Sequence, residues 1–187
     1  MKNLFKTLRD SAAELKKPRA LTIMAMLTAL YVVLSFLRIP LSDTMRISFT
    51  FLPIAIAGML FGPVAAGTMA IACDILGYLA QPMGAFFPGF TLSEVFTAVI
   101  YGFFFYKQEI KLSRVFLAKI PVLLLVELFM NTLWLAILYQ TGFFILLPTR
   151  IIKSAITFVL EIAIIFAVAK PVKKIMAENN TTNSLKK

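Results

Sequence analysis

The sequence predicts an all-α, polytopic membrane protein, a six-transmembrane-helix bundle with both termini cytoplasmic. Three observations carry that expectation. Hydrophobic residues make up 60% of the 187 and charged ones 15%, with a mean hydropathy of +0.88, which is more apolar surface than one soluble core of this length can hide. Apolar runs of helical length alternate with short polar connectors. The Lys and Arg residues behind the net charge of +10 stand at the ends of those runs, as orientation signals do and phosphate-tracking stripes do not, so nucleic acid is not an expected partner.

The chain opens with residues 1–19, where Lys2, Lys6, Arg9, Lys16, Lys17 and Arg19 are interleaved with Leu4, Phe5, Leu8, Ala12 and Leu15 at roughly helical spacing. The pattern suits an amphipathic helix on the membrane surface as well as it suits a solvated tail, and both readings stand. The first span covers about 20–37. It follows a basic segment and precedes several further spans, so it reads as an uncleaved helix rather than a signal peptide, with the mature chain beginning near Met1. Ala25 and Ala29, four apart beside Thr22 and Thr28, make a face of little bulk where another helix can approach, although alanines packing internally show the same pattern.

A connector, RIPLSDTMRIS, leads to a second span at about 49–61, short enough that it is expected to draw in Ile47 or to tilt. Gly62-Pro63 marks a tight turn. The third span, about 64–79, is rich in small residues (Ala65, Ala66, Gly67, Ala70, Ala72) and is expected to pack closely. Cys73, the single cysteine, lies within it and reads as a small buried hydrophobe. The loop QPMGAFFPGF precedes a fourth span at about 91–106, and the polar KQEIKLSR precedes a fifth at about 116–139 with Pro121 in its first turns. A second apolar loop, QTGFFILLP, leads to the sixth at about 149–169 and then to a basic tail at 171–187.

With the N-terminus in the cytoplasm, the inner segments hold fifteen of the nineteen Lys and Arg residues, Lys119 among them. The outer four are Arg38, Arg46, Arg150 and Lys153, and the positive-inside rule therefore favours this orientation. Asp74 and Glu94 fall in the outer halves of spans three and four, where a carboxylate is costly unless it faces a cavity or a partner. Glu127, Asn131 and Trp134 share one face of span five, and Arg150, Ser154, Thr157 and Glu161 form a similar stripe on span six. These stripes are expected to face each other across the interior.

Such a set suits a small anionic, aromatic solute. Arg and Lys receive carboxylates, Phe86, Phe87, Trp134 and Tyr139 offer flat apolar surfaces, and Asp74 or Glu94 accepts paired N–H donors from a heterocycle. Plainer roles exist for each residue singly: the four cations anchor helix ends by snorkelling, Glu127 and Glu161 pair with Lys153 or Arg150, and the aromatic residues are interfacial anchors. Joint placement on one side of the membrane is what favours a pocket. Enzyme signatures are missing: there is no histidine, no clustered metal-binding carboxylates and no G-x-x-x-x-G-K-[ST] loop. No cofactor is expected, and transport driven by ATP requires an ATPase on another chain.

RISFTFLPIAIAGMLFGPVAAG, DILGYLAQPMGAFFPGFTLSEVFTAVIYG, the NTLW of Asn131 to Trp134, and Arg150 with Lys153 together resemble the substrate-binding S-components of energy-coupling factor vitamin transporters, most closely the folate-specific group. The resemblance spans about 20–170, the transmembrane substrate-binding domain, flanked by the basic segments 1–19 and 171–187. It implies a multi-pass protein of the bacterial cell membrane that captures folate from outside. Its implied partners are the lipid bilayer, a transmembrane coupling subunit docking on the Ala25/Ala29 face, and two cytosolic ATPases. The reading that results takes Arg38, Arg46, Phe86, Phe87, Asn131, Trp134, Arg150 and Lys153 as ligand residues, and Asp74 and Glu94 join them as carboxylates within the spans, whether or not Glu94 belongs to the family pattern. An S-component for another vitamin, such as pantothenate or thiamine, and a non-transporting membrane scaffold are the alternatives.

Overall fold

The computed structural model describes residues 2–37, 39–42, 45–82 and 85–184, with side chains for 4–37, 48–82 and 85–173. Its helices are α1 (Lys2–Glu14), α2 (Pro18–Phe36), α3 (Phe51–Ala80), α4 (Pro88–Phe105), α5 (Leu112–Pro121), α6 (Asn131–Tyr139) and α7 (Phe143–Ser184), with a π-helical segment (Val122–Met130) fusing α5 to α6. Between α2 and α3 the connector forms a short antiparallel hairpin, β1 (Ile39–Ser42) and β2 (Met45–Ile47), pairing Ile39 with Ile47 and Pro40 with Arg46. Ile47 thus belongs to a strand, and the second span begins only at Phe51.

Continuous helical hydrogen bonding hides a reversal in α3. Gly62 has φ 82° and ψ −176°, a conformation open to glycine, and Pro63 follows it. Gly62 lies against Ser11 and Tyr106, whereas Thr50 before the helix and Asp74 near its end line one cavity. The chain must therefore run from the cavity to Gly62 and back. α3 is two antiparallel arms, which with α2, α4, the α5–α6 rod and α7 gives the six spans expected. The molecule accordingly has a cavity end and a turn end.

The α3 arms form the centre, with Ile54, Ala57, Ala65, Ala66, Ala70 and Cys73 fully enclosed. Cys73 donates weakly to Thr28 Oγ1 at 3.6 Å, a buried packing role. Lipid offers no hydrophobic drive for helix association, so close van der Waals contact must supply it. Gly58 meets the backbone of Tyr101 and Gly102, and a Cβ on Gly102 would stand 2.4 Å from Pro63 Cα. Bulk is excluded where α4 crosses the turn. α2 buries Met24, Leu27, Thr28 and Tyr31 on one helical stripe and leaves Ala25 and Ala29 exposed on the other.

α1 is helical over Lys2–Glu14 and docks against the turn of α3. Its Ser11 is fully buried: the hydroxyl donates to Phe61 O at 2.7 Å and accepts from the N–H groups of Val64 at 3.0 Å and Ala65 at 3.1 Å. Those three backbone groups are orphaned by the Gly62 break, and Ser11 satisfies them from outside α3.

The last span begins at Phe143 rather than 149, leaving only Gln140 to Gly142 of the second apolar loop outside helix. Phe144 and Ile145 are 81% and 75% exposed. At such lipid-facing positions a loop would leave backbone amides unpaired, and helix satisfies them internally. α7 also runs on past the expected end at 169 to Ser184 despite Pro171.

Candidate functional site

Two chambers open into each other at the cavity end. The inner one, about 190 Å³, is lined by α4, the α5–α6 rod and α7, and the outer one, about 420 Å³, adds α2 and the α3–α4 loop. Thr50, Phe90, Glu94, Asn131, Arg150 and Lys153 line both and mark the passage between them. The volumes suit a small organic molecule.

The floor of the inner chamber is ionic. Lys119, 1% exposed, donates to both Glu127 and Glu161. Lys119 is therefore an interior group and not a cytoplasmic flanking charge. Glu127 and Glu161 are paired with it rather than with Arg150 or Lys153. Fourteen of the remaining eighteen basic residues still fall on the expected inner segments. The apolar run around Lys119 conceals its partners because they stand eight and forty-two positions away. The π-helical segment brings the nearer one into line: its wider winding returns a residue two turns on to nearly the same face.

The stripe Arg150, Ser154, Thr157 and Glu161 lines the inner chamber as its spacing predicts, opposite Glu127 and Asn131. Trp134 does not continue the span-five stripe into the cavity. Its ring packs on Phe87 at 5.7 Å and its Nε1 donates to Ser93 Oγ at 3.1 Å, so it props the α4 start and the aromatic loop from behind. Leu135 and Leu138 take the cavity positions instead, because the π turn shifts the helical phase.

Asp74 lies in the outer chamber, its Oδ2 accepting from Thr91 Oγ1 at 2.6 Å. Phe86 and Phe87 also line that chamber, Phe86 against Tyr78 at 5.1 Å. Arg38 lies outside the described residues, as does the side chain of Arg46, whose backbone pairs with Pro40.

The pocket holds more than the sequence singled out. Tyr31, Thr50, Ser93, Thr97 and Tyr101 line it, and Glu94, Thr97 and Tyr101 recur at helical spacing, a legible polar stripe along α4. Among the described residues Arg150 and Lys153 have no carboxylate within ion-pair distance. Asn131 Oδ1, Tyr101 Oη and Arg150 Nε are buried with no hydrogen-bond partner among the described residues. Unmade hydrogen bonds of this kind are costly in a membrane interior, and three converging on one cavity point to a ligand that makes them.

Helices long and apolar enough to cross a membrane, gathered around a deep polar cavity at one end, are the architecture of a multi-pass membrane protein with room for a small solute. Residues 19–170 match the family model for the substrate-specific component of ECF transporters, and the chain belongs to that family. It is 41% identical to the folate transporter FolT of Clostridium novyi (strain NT) over 88% of this chain and 96% of that protein. It is 32% identical to the folate transporter FolT of Leuconostoc mesenteroides over 78% and 82%. Its fold is similar to a crystal structure of FolT bound with folic acid, with TM-score 0.77 and 34% identity over 83% of this chain and 95% of that one.

Proposed function

We propose that this chain is the folate-binding S-component of an ECF-type importer. The observation that carries the reading is the set of unpartnered groups in the cavity, Arg150 Nε, Asn131 Oδ1 and Tyr101 Oη, with Lys153 alongside and acceptors opposite. Folate presents complementary chemistry: two carboxylates for Arg150 and Lys153, flat rings for Phe86, Phe87 and Phe90, and heterocyclic N–H donors for Glu94 or Asp74. Trp134 contributes by holding Phe87. The names of the similar proteins support the same ligand.

In this reading the cavity end faces outward, both termini are cytoplasmic, and the protein lies in the bacterial cell membrane. The exposed Ala25/Ala29 face of α2 receives a transmembrane coupling subunit, and two cytosolic ATPases supply the energy this chain has no motif to harvest. Titrating the detergent-purified protein calorimetrically with folic acid, pantothenate and thiamine tests the ligand. One-to-one binding of folic acid alone is expected; binding of pantothenate or thiamine instead would overturn it. Arg150→Ala should weaken folate binding about 10- to 100-fold while leaving the unfolding temperature unchanged.

A further inference from the structure

A second groove, of about 650 Å³, lies at the turn end, where the connector after α4 meets the far part of α7. Lys111, Lys170 and Lys173 line it together with Ile110, Leu112 and Phe166, and Glu109 is the one carboxylate among its lining residues. Glu109 sits 3.3 Å from Lys111. The other two ammonium groups have uncharged partners: Lys170 stands 5.0 Å over the Phe166 ring, and Lys173 donates to the Gln108 carbonyl. A ring and a carbonyl orient these ammonium groups without neutralising them, and each retains donors for an anion. The lining thus carries a surplus of two positive charges.

The apolar half of the groove narrows the choice of anion. Leu112 is 54% exposed, and Phe166, half-buried against the core, turns the rest of its surface into the groove. A small soluble anion has no use for that wall, whereas a lipid fits charge and wall together. Across Lys111 a neighbouring groove repeats the combination, with Arg114 beside Phe103 and Leu117. We propose that the turn-end groove seats the headgroup of an anionic phospholipid, its phosphate on Lys111, Lys170 and Lys173 and the start of one acyl chain on Leu112 and Phe166. The site is separate from the vitamin cavity and stands whatever the cavity binds.

Native mass spectrometry of the full chain, delipidated in detergent and offered phosphatidylglycerol, phosphatidylcholine or inorganic phosphate, reads it directly. The wild type should retain phosphatidylglycerol about tenfold more tightly than phosphatidylcholine. The variant Lys111→Ala/Lys170→Ala/Lys173→Ala should lose that preference; should it not fold by circular dichroism, Lys170→Gln is read in its place and should at least halve it. Equal retention of the two lipids, a preference surviving in the folded variant, or inorganic phosphate displacing the lipid at equal concentration would overturn the proposal.

Discussion

The two ends of the bundle treat polar groups in opposite ways. At the turn end the broken backbone of Gly62 is closed at once: Ser11 makes three hydrogen bonds to it, and Gly58 and Gly102 let α4 fit against it without a gap. At the cavity end Asn131, Tyr101 and Arg150 keep buried atoms unpaired. The backbone break is closed by the protein itself, although Tyr106 Oη beside it has no hydrogen-bond partner among the described residues, whereas the unpaired atoms of the other end converge on one cavity. The difference separates residues that hold the protein together from those that hold its ligand, and substitutions should sort accordingly.

Lys119 is the exception, and its replacement should have the largest effect because it serves both ends of that contrast. It closes the cavity floor while joining α5, the π-helical segment and α7. Lys119→Met leaves two carboxylates facing each other without a cation, and stability should fall by roughly 3–5 kcal/mol, measured by thermal unfolding in detergent. Adding Glu127→Gln and Glu161→Gln should recover most of that loss. A Lys119→Met protein as stable as wild type would show that the triad is not a structural clamp.

Gly102→Ala comes next. Its new methyl group would meet Pro63 N and Cα at 2.4 Å, and backbone atoms cannot swing aside as a flexible side chain can. A loss of about 1–3 kcal/mol is expected. Folate affinity measured on the folded fraction should be retained, since the clash lies at the turn end; a matching loss of affinity would show that the two ends are coupled.

How much of this could be read from the chain follows the same division. Helices were legible because apolar runs between basic ends announce them, and Gly62-Pro63 announced the turn. The Arg150 stripe was legible because α7 is regular through it. Trp134 was misplaced because the π-helical stretch before it alters the helical phase, and no composition signal distinguishes VLLLVELFM from ordinary helix; Lys119 was misplaced because its partners stand eight and forty-two positions away. The start of α7 was misplaced because Pro148 reads as a breaker in isolation, whereas lipid exposure of Phe144 and Ile145 compels helix around it. Ser11 could not have been found, since a serine in a basic amphipathic segment carries no trace of a partner fifty positions away.

Ser11→Ala sharpens the comparison further. It strips Phe61 O, Val64 N–H and Ala65 N–H of their partner, and a loss of about 1–2 kcal/mol is expected with no change in folate affinity. Retained stability would mean that water or lipid headgroups replace the hydroxyl.

The smallest effect belongs to the other link between α1 and the turn end, the pair of Asp10 and Lys107 at 2.7 Å. The hydrogen bond that Lys107 donates to Asp10 holds the Asp10 carboxyl below its ordinary value, and the same bond raises Lys107. A depressed carboxylate contributes stability above the unfolded value near 4 and loses it as pH falls; a raised ammonium contributes below about 10.4 and loses it as pH rises. The pair should therefore act as a constant between those limits and disappear outside them. Both groups are solvated, so Asp10→Asn should shift the unfolding midpoint at pH 7 far less than Ser11→Ala and less again in high salt. Unfolding curves of wild type and Asp10→Asn should begin to converge below about 4 and meet once pH has fallen through the lower folded-state value of Asp10. A difference persisting below the depressed value of the folded-state Asp10 carboxyl would mean that Asp10 acts through packing, and that α1 is held to the turn by more than Ser11 and this bridge.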